Sequence, residues 1–379
     1  MPSIFLELPL SVRGSGGSDE PTLAWSSVDG ALAVARGNSV EFYDEDGQQL
    51  AGLHVRRGHA ATAAAWHPLS RTVAIGWSDG TLTIFNCNTR AQREDGSIHR
   101  SAIRLIEWSP SSTRLLTGDE QGTLGLWTLD LHSRIIPICQ HPRKQGSITH
   151  CVFFDIASGV GAGSAVSGSP KRSPSNKARS AVTSFFFAVK LRRPANSGSV
   201  LFADDMGHCM TVCSTKGSPV VALLQHTRAA PASPTKKSGR GKRRVLFVVS
   251  ADLLLRQFAI GARGEVTPLT ESKLAHAGAD AYFKAMWAEP GLMLTASGEG
   301  SVRFFDVDAD RHYSLPLTSH SGTVVGARDT VSSVAYCDAR RMLIVGTHAG
   351  TLLTWRYTVR ALCAPPSAAR CAIAALRLS

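Results

Sequence analysis

A recurring spacing of aromatic residues and glycines limits the folds open to this chain more than any other feature. An aromatic residue is followed after ten residues by a glycine, after four more by a second glycine, and after five more by another aromatic residue. Internal repeats of this kind define the architecture of a whole domain. The segments that keep the spacing are Trp66, Gly76, Gly80 and Phe85; Trp108, Gly118, Gly122 and Trp127; Tyr336, Gly346, Gly350 and Trp355; with weaker residue types Met286, Ala296, Gly300 and Phe305; and, with one residue deleted, Trp25, Ala35 and Tyr43.

Each repeat has the pattern of a β-hairpin preceded by another strand. Val73–Gly76 is a short apolar strand, Trp77–Gly80 has the composition of a tight turn, and Thr81–Phe85 alternates polar and apolar residues. The step from Trp66 to Trp108 is 42 residues. Small antiparallel sheets that recur every ~40–45 residues are typical of WD40-type β-propellers, in which neighbouring blades bury both faces of each sheet.

The sequence therefore predicts an all-β fold, a single seven-bladed WD40-type β-propeller over residues 1–358. Ser3–Leu8, an apolar segment ahead of the first blade, is predicted to complete the sheet of the seventh, because an open ring would expose strand edges. Residues 359–379 are interpreted as an irregular C-terminal tail or linker. The predicted blades cover about 20–50, 51–92, 93–135, 148–213, 218–268, 269–318 and 320–358.

Positive charge is concentrated in two segments. The formal net charge is +12, yet residues 158–193 and 226–244 together carry +14 and contain no acid, which leaves −2 for the rest. Residues 157–180 and 227–244 are rich in Gly, Ser and Pro and lack apolar periodicity, so both are predicted to be disordered basic insertions in the fourth and fifth blades. A nucleic-acid-binding fold with a basic surface throughout is disfavoured.

The densest run of positive charge is a candidate contact for an acidic partner. Anionic lipid, RNA or an acidic tubulin-like tail would suit this charge, so peripheral membrane association stays open. The alternative is a solvated insertion without a partner. No aromatic residue is interleaved, so specific recognition of nucleic acid is not predicted. The run comprises Lys236, Lys237, Arg240, Lys242, Arg243 and Arg244.

Part of the polar network that gives WD repeats their name is present. His59 follows Gly58 at the start of the second blade and Asp79 lies in the turn of that blade, so a hydrogen bond between them is interpreted as structural. Cys209 and Cys213 are expected to share one face of a strand, where core packing explains them better than a metal site does.

The chain has no arrangement of residues typical of an enzyme. It contains no H-E-x-x-H or G-x-x-x-x-G-K-[ST] motif, and its paired acids lie at predicted turns. No catalytic residue, metal, cofactor or small-molecule substrate is therefore predicted. None of the eight cysteines forms a C-x-x-C pair, and no apolar run approaches the ~18 residues that a transmembrane helix needs.

Nine stretches of the chain carry a more specific signal than a generic WD repeat: Arg57–Pro68, Val73–Trp77, Gly80–Asn86, Ile103–Pro110, Leu116–Asp119, Gly122–Trp127, Ile148–Phe153, Arg303–Asp306 and Tyr313–Leu315. Through these stretches, roughly residues 20–358 resemble the N-terminal propeller of the intraflagellar transport protein 140 family. That resemblance implies a subunit of intraflagellar transport complex A that acts in retrograde transport and in bringing membrane cargo into cilia. It implies location in the cilium or flagellum, basal body and cytoplasm, with other complex A subunits and ciliary cargo adaptors as partners.

The same resemblance implies a second propeller and a helical-repeat tail, so the chain is expected to be one part of a longer protein. It supplies no catalytic residues and assigns no role to the basic insertions. The residues favour a non-enzymatic interaction scaffold in ciliary transport. Two alternatives stay open, namely a generic WD40 adaptor in another trafficking or ubiquitin pathway, and a binder of anionic lipid, RNA or tubulin tails through the basic insertions.

Overall fold

β-Strands make up all the regular secondary structure in the part of the chain that the computed structural model describes. No helix occurs in that part, so the all-β prediction is confirmed. The described residues are 22–44, 47–130, 134–141, 144–155, 183–229, 242–261, 264–274, 283–317, 330–337, 342–348 and 352–356. The strands are β1 (Thr22–Trp25), β2 (Leu32–Arg36), β3 (Ser39–Tyr43), β4 (Gln49–Arg56), β5 (Ala61–Trp66), β6 (Thr72–Trp77), β7 (Leu82–Asn86), β8 (Gln92–Asp95), β9 (Ile103–Trp108), β10 (Leu115–Asp119), β11 (Leu124–Leu129), β12 (Ile135–His141), β13 (Gly146–Asp155), β14 (Thr183–Leu191), β15 (Ser197–Asp204), β16 (Cys209–Thr215), β17 (Val220–Ala229), β18 (Lys242–Ser250), β19 (Leu254–Ile260), β20 (Val266–Lys273), β21 (Phe283–Glu289), β22 (Leu292–Ser297), β23 (Ser301–Asp306), β24 (Arg311–Pro316), β25 (Val331–Cys337), β26 (Met342–Thr347) and β27 (Leu352–Arg356).

Strands that follow one another along the chain pair into antiparallel sheets. Within the described residues there are seven such sheets, which we number one to seven in chain order. Sheets one to six each have four strands, from β1–β4 through to β21–β24, and sheet seven has the three strands β25–β27. Four-stranded units in this sequential order are the predicted blades.

The first strands of the sheets form the inner contacts of the molecule. Contacts run from β1 to β5, β9, β13, β17, β21 and β25 in turn, and β25 contacts β1 again. Side chains reinforce these contacts, because Thr62 Oγ1 donates a hydrogen bond to the Ile103 carbonyl at 2.6 Å. Lys284 Nζ likewise donates to the Val334 carbonyl at 2.9 Å. The first strands therefore surround a common axis.

The core consists of apolar clusters between neighbouring sheets. Clusters join each sheet to the next, from sheets one and two to sheets six and seven. In the first of them, Phe42 of sheet one packs edge-on against Trp66 of sheet two. A further small cluster joins Met342 and Ile344 of sheet seven to Trp25 of sheet one. Every sheet is thus covered on both faces by its neighbours, which is how an isolated sheet avoids exposing apolar surface.

The tryptophan that closes the first strand connects its sheet to the preceding one. Trp66 Nε1 donates a hydrogen bond to the Ala24 carbonyl at 3.0 Å. One repeat later, Trp108 Nε1 donates to the Ala65 carbonyl at 3.2 Å. Ala24 and Ala65 occupy equivalent positions, each directly before the last residue of a first strand. The repeated tryptophan therefore bonds neighbouring sheets as well as filling the space between them.

The two glycines of the repeat meet different needs. A Cβ atom on Gly76 would lie 2.7 Å from Ile103 Cβ, and one on Gly118 would lie 2.6 Å from Ile148 Cβ. Each isoleucine belongs to the first strand of the next sheet, so the first glycine makes room for that strand. The second glycine, as at Gly80 with φ +88°, adopts the left-handed conformation of the hairpin turn.

The fourth strands of the first two sheets end later than the predicted blade boundaries. β4 reaches Arg56 and β8 reaches Asp95, whereas the first two blades were predicted to end at about residues 50 and 92. Most residues of both strands are exposed or only partly buried. All four side chains of β8 are polar, so it gives no apolar periodicity. Backbone pairing to the third strand holds it in the sheet.

The second predicted insertion, 227–244, is partly strand. β17 continues to Ala229 and β18 begins at Lys242, and the two pair through this region. The prediction of disorder was wrong at these flanks, because the backbone ladder of a hairpin continues regardless of side-chain charge. The Arg244 guanidinium also lies 4.9 Å from the centroid of the Phe154 ring. Ser3–Leu8, 157–180 and the predicted tail 359–379 lie outside the described residues.

We expect Gly118→Ala to lower the free energy of unfolding by about 1–3 kcal/mol, because its Cβ would overlap Ile148 of the next sheet. Urea denaturation followed by tryptophan fluorescence measures the change. Gly58→Ala is the matched control, since no atom lies within 4 Å of its added Cβ. An equal loss of stability in both variants would contradict the proposed role of Gly118 in sheet packing.

Candidate functional site

His59, in the loop before β5, and Asp79, in the turn between β6 and β7, lie close together, and Arg57 contacts the same acid. His59 Nε2 is 3.6 Å from Asp79 Oδ2, beyond hydrogen-bond distance, and 55% of the His59 side chain is exposed. Arg57 Nη1 lies 3.3 Å from the same oxygen and Arg57 Nε lies 3.3 Å from Glu94 Oε1. Its guanidinium also lies 5.3 Å from the centroid of the Trp77 ring. Arg57 is therefore the principal cation at Asp79.

Sheet three contains a buried polar network that sequence analysis missed. His99 Nδ1 lies 3.3 Å from Asp119 Oδ2, and only 1% of either side chain is exposed. His99 Nε2 lies 2.7 Å from Thr117 Oγ1, and Trp127 Nε1 donates to the same hydroxyl at 2.7 Å. If His99 carries its proton on Nδ1, Thr117 donates to Nε2 and all four side chains have a partner. The network ties the loop before β9 to the turn between β10 and β11.

A positional signal for this network exists in the sequence. His99 precedes Trp108 by nine residues, and Arg57 precedes Trp66 by the same nine residues. The two residues therefore occupy equivalent positions, and each meets an acid in the next turn. The Gly-His pattern of WD repeats indicates His59, which follows Gly58, and does not indicate His99, which follows Ile98.

The carboxyl of Asp119 has a lowered pKa despite its burial. Burial alone would raise the pKa, but hydrogen bonds from His99 and from the Thr123 amide outweigh it and favour the carboxylate. The pKa of Asp79 is also lowered. Burial would raise it, but hydrogen bonds from Thr81 and the charge of Arg57 outweigh burial. Both acids are thus held ionised in structural roles.

Gly76–Gly80 has the G-x-S-x-G spacing of a hydrolase nucleophile, and its surroundings do not fit that role. In α/β-hydrolases, this motif places the nucleophilic serine at a sharp turn between a strand and a helix. Here Ser78 lies in the hairpin turn between β6 and β7, and its Oγ accepts a hydrogen bond from the Ala60 amide at 3.2 Å. Ser78 therefore belongs to the loop contacts at this turn.

At the opposite end of the circle of sheets lies a cavity of about 630 Å³. Residues at or after the ends of four first strands line it, so these strands finish on the same side. We call this side the insertion end, because the connections that follow β13 and β17 leave here and contain most of both basic segments. The lining residues are Pro110, Val152, Phe153, Gln225, His226, Thr227, Arg244, Trp287, Ala288, Glu289 and Pro290.

Trp287 and His226 are in contact at this cavity. The Trp287 ring packs edge-on against Phe247, with centroids 5.5 Å apart, and lies 5.2 Å from the His226 ring. His226 Nε2 is 3.5 Å from Asp308 Oδ2 of sheet six. The side-chain atoms Gln225 Oε1 and Trp287 Nε1 are enclosed by protein and have no hydrogen-bond partner among the described residues.

Two of the six predicted acidic-partner contacts have described side chains. Arg243 and Arg244 are partly buried at the start of β18, and Arg244 lines the cavity at the insertion end. Arg243 lines a neighbouring cavity of about 930 Å³ between sheets five and six, together with Asp308 and Asp310. Lys242 begins β18, while Lys236, Lys237, Arg240 and the side chain of Lys242 lie outside the described residues.

The expectation that Cys209 and Cys213 share a face was wrong. Val200 pairs with Cys213 but Leu201 pairs with Thr211, so a β-bulge interrupts the alternation of side chains between them. Cys209 packs between sheets three and four, and Cys213 packs between sheets four and five. Core packing therefore accounts for both thiols.

Two features are absent from the described residues. Among the described residues, no three His, Cys, Asp or Glu side chains are grouped closely enough to hold a metal ion. In the same part of the chain there is no helix with the length and apolar character needed to cross a membrane.

Comparison with known proteins gives one match over nearly the whole chain and one over a part. A family model described as the IFT140 first beta-propeller matches residues 11–366. Over 124 residues the chain is 27% identical to a 66 kDa stress protein of Physarum polycephalum. That alignment covers 31% of this chain and 21% of the relative, so it spans about a fifth of that protein's length.

We expect Asp119→Asn to cost about 1–3 kcal/mol of stability at neutral pH, because it disrupts a buried hydrogen-bonded network. Asp79→Asn, at a more exposed pair, should cost under ~1 kcal/mol. The folded pKa of Asp119 lies below the unfolded value of about 3.9, so the wild-type advantage holds above that pH and declines below it. Urea denaturation at neutral pH and below the unfolded pKa of about 3.9 measures both effects. Equal losses of stability in Asp119→Asn and Asp79→Asn would contradict the role of Asp119 in a buried network.

Proposed function

We propose that this chain, which belongs to the IFT140 first beta-propeller family, is a non-enzymatic scaffold of intraflagellar transport complex A. In this role it presents binding surfaces for other complex A subunits and ciliary cargo adaptors, in retrograde transport and in membrane-cargo entry into cilia. Its expected location is the cilium or flagellum, with the basal body and cytoplasm. The single observation that carries the proposal is the family match over residues 11–366.

The proposal includes a closed ring of seven blades. It is supported by the seven sheets of the described residues and by the return contact between β25 and β1. Sheet seven has three described strands where the others have four. Ser3–Leu8 is proposed as the missing fourth strand, which would hold the two ends of the chain together and cover the open edge of β27.

The polar side chains of the described residues support a scaffold in preference to an enzyme. The acids at Asp79 and Asp119 are engaged in contacts between loops and turns. Ser78 accepts a backbone hydrogen bond within such a turn. Packing between sheets on both faces favours a stiff body, and a stiff body suits the display of surfaces at fixed positions.

The insertion end is proposed as the contact for an acidic partner. Between Asp155 and Thr183 the chain carries four positive charges and no acid, and between Ala229 and Lys242 it carries three and no acid. Both connections leave from adjacent sheets at the same end of the circle. Lys236, Lys237 and Arg240, followed by Lys242, Arg243 and Arg244, are the residues assigned to this contact.

Affinity capture tests the transport role. The full-length protein that contains this chain, tagged and expressed in ciliated or flagellated cells, is expected to recover the other complex A subunits. Deletion of the chain should reduce recovery of the cargo adaptors that bind it. Recovery of coat or ubiquitin-ligase components without complex A subunits would favour the generic adaptor and would overturn the transport proposal.

Removal of Ser3–Leu8 tests the closure of the ring. We expect the truncated chain to lose about 2–5 kcal/mol of stability, because an edge strand and its apolar contacts would be missing. It should also self-associate more, since an open edge can pair with another chain. Urea denaturation and analytical ultracentrifugation measure the two effects. A chain that is unchanged in both would contradict this mode of closure.

A further inference from the structure

One position of the first strands is apolar in every sheet except the third. In sheets two to five and seven it lies three residues after the residue that a β-bulge leaves unpaired. In sheets one and six it lies directly before the tryptophan of the first strand. Sheet three has Glu107 there, and we call these seven residues the axial set. Its members are Ala24, Ala65, Glu107, Val152, Leu224, Met286 and Ala335.

Side chains of the axial set point toward the next sheet. Val152, for example, packs between sheets four and five. Leu105, two residues before Glu107 on the same face of β9, packs between sheets three and four, so Glu107 faces sheet four. Unlike the adjacent Ile106 and Trp108, Glu107 is exposed. An inner strand meets open space only at its ends and along the axis, so the carboxyl faces the axial space that the first strands enclose.

The carboxyl of Glu107 has no partner among the described residues. Enclosure by the protein raises its pKa to about 7, and burial is the only cause of this shift, so no cation or hydrogen-bond donor of that part of the chain acts on it. Water reaches the group through the axial space but solvates its charge less well than bulk water does. A residue whose ionisation opposes folding is expected at a functional site.

Other ionisable groups near the axis leave this charge uncompensated. Burial, together with the charge of Glu107, raises the pKa of the Cys151 thiol well above its usual value, so the thiol is neutral. Burial lowers the pKa of His150 to about 4, so its ring is neutral at physiological pH. The Lys284 side chain donates to the Val334 carbonyl of sheet seven. Glu107 therefore sets the sign of the charge that the axial space accepts.

A single carboxylate in an apolar set selects for an organic monocation. A divalent metal ion needs several oxygen ligands, and the described residues contain no group of three His, Cys, Asp or Glu side chains that could hold one. A lysine side chain fits, because its ammonium is a compact charge on an apolar four-carbon stem. The guanidinium of arginine presents a fork of five donors, more than one carboxylate can accept.

The cavity at the insertion end gives access to the axial set. Val152 belongs to that set and also lines the cavity of about 630 Å³, a volume within the ~300–1,000 Å³ of specific ligand sites. Arg244 and Glu289 in its wall have opposite charges and offset each other. The entrance therefore favours neither sign of charge, and the selection falls to Glu107.

We propose that the axial space binds a lysine side chain of a partner protein, which enters through the cavity at the insertion end. The lysine ammonium pairs with the carboxylate of Glu107, and its methylene groups lie among the apolar members of the axial set. The proposal deepens the scaffold function proposed above, on which it rests, by naming a residue that the partner inserts. The acidic contact proposed for the basic connections is separate, and a partner segment that is acidic outside its inserted lysine satisfies both.

A phage-displayed library of dodecapeptides with one fixed central lysine, panned on the immobilised chain, supplies the probe. A fluorescent copy of the strongest binder is then titrated against variants. Glu107→Gln keeps the size of the side chain and removes its charge, so it should weaken binding about 10- to 100-fold, as expected for one lost charge-assisted hydrogen bond. Glu120→Gln is the matched control, because Glu120 pairs with Arg104 at the other end of sheet three and should not affect binding.

The pH dependence of binding reports on Glu107. With a pKa of about 7, the carboxyl is mostly ionised at about pH 8 and mostly protonated at about pH 6, so wild-type affinity should fall about 10-fold between them. The lysine ammonium, with a pKa of about 10.4, stays charged throughout. Glu107→Gln should lose this dependence, whereas an effect of the histidines would persist in that variant.

Stability separates a binding role from a packing role. The folded pKa of Glu107 lies above the unfolded value of about 4.3, so ionisation disfavours the folded state increasingly as the pH rises between these values. Glu107→Gln should therefore leave the unfolding midpoint unchanged at low pH and raise it at about pH 8, while binding falls. A packing role alone would lower the midpoint.

Three results would overturn the axial site. They are a library without an enriched peptide, equal binding by the wild type and Glu107→Gln, and equal binding when norleucine replaces the peptide lysine. Equal or tighter binding of an arginine peptide would overturn the choice of lysine. If the site fails while affinity capture still recovers complex A subunits, the axial site alone is wrong. Lysine-dependent binding without those subunits would overturn the transport role alone.

Discussion

Burial of each sheet between two neighbours is the interaction on which the rest of this structure depends. The second strands of the sheets are buried on both faces; all six residues of β6, for example, are buried. No sheet could bury such surfaces alone, so stability comes from the contacts between sheets. Those contacts are close enough that the Gly118 position has no room for a methyl group beside Ile148. The spacing of the repeat is thus a requirement of packing.

The same arrangement gives the two ends of the molecule different character. At one end, the turns between second and third strands are fixed to the preceding loops by Asp79 and Asp119. At the insertion end, first strands finish around a cavity, and two long basic connections leave the sheets. A concave surface beside long connections is better suited to recognition than a set of short, hydrogen-bonded turns.

Sequence predicted those features that the sheet packing itself demands. Trp66, Gly76 and Gly80 could be recognised because each repeats at the position where one sheet meets the next. Exposed fourth strands such as β8 carry no apolar alternation, so their limits were misplaced. The β-bulge before Cys213 turns the Cys213 side chain to the opposite face of the sheet from Cys209. No residue type in the sequence indicates that bulge. The cavity could not be predicted, because it joins side chains from four sheets that are distant along the chain.

The joint between sheets seven and one has a consequence for how the chain folds. Every other joint links sheets that are neighbours in sequence, so six joints can form by local accretion as the chain is synthesised. Within the described residues, this last joint brings together the most distant parts of the chain through a small cluster of Trp25, Met342 and Ile344. Formation of this contact therefore has the largest entropic cost of loop closure. Under mechanical load, the circle of sheets is expected to open first between sheets seven and one.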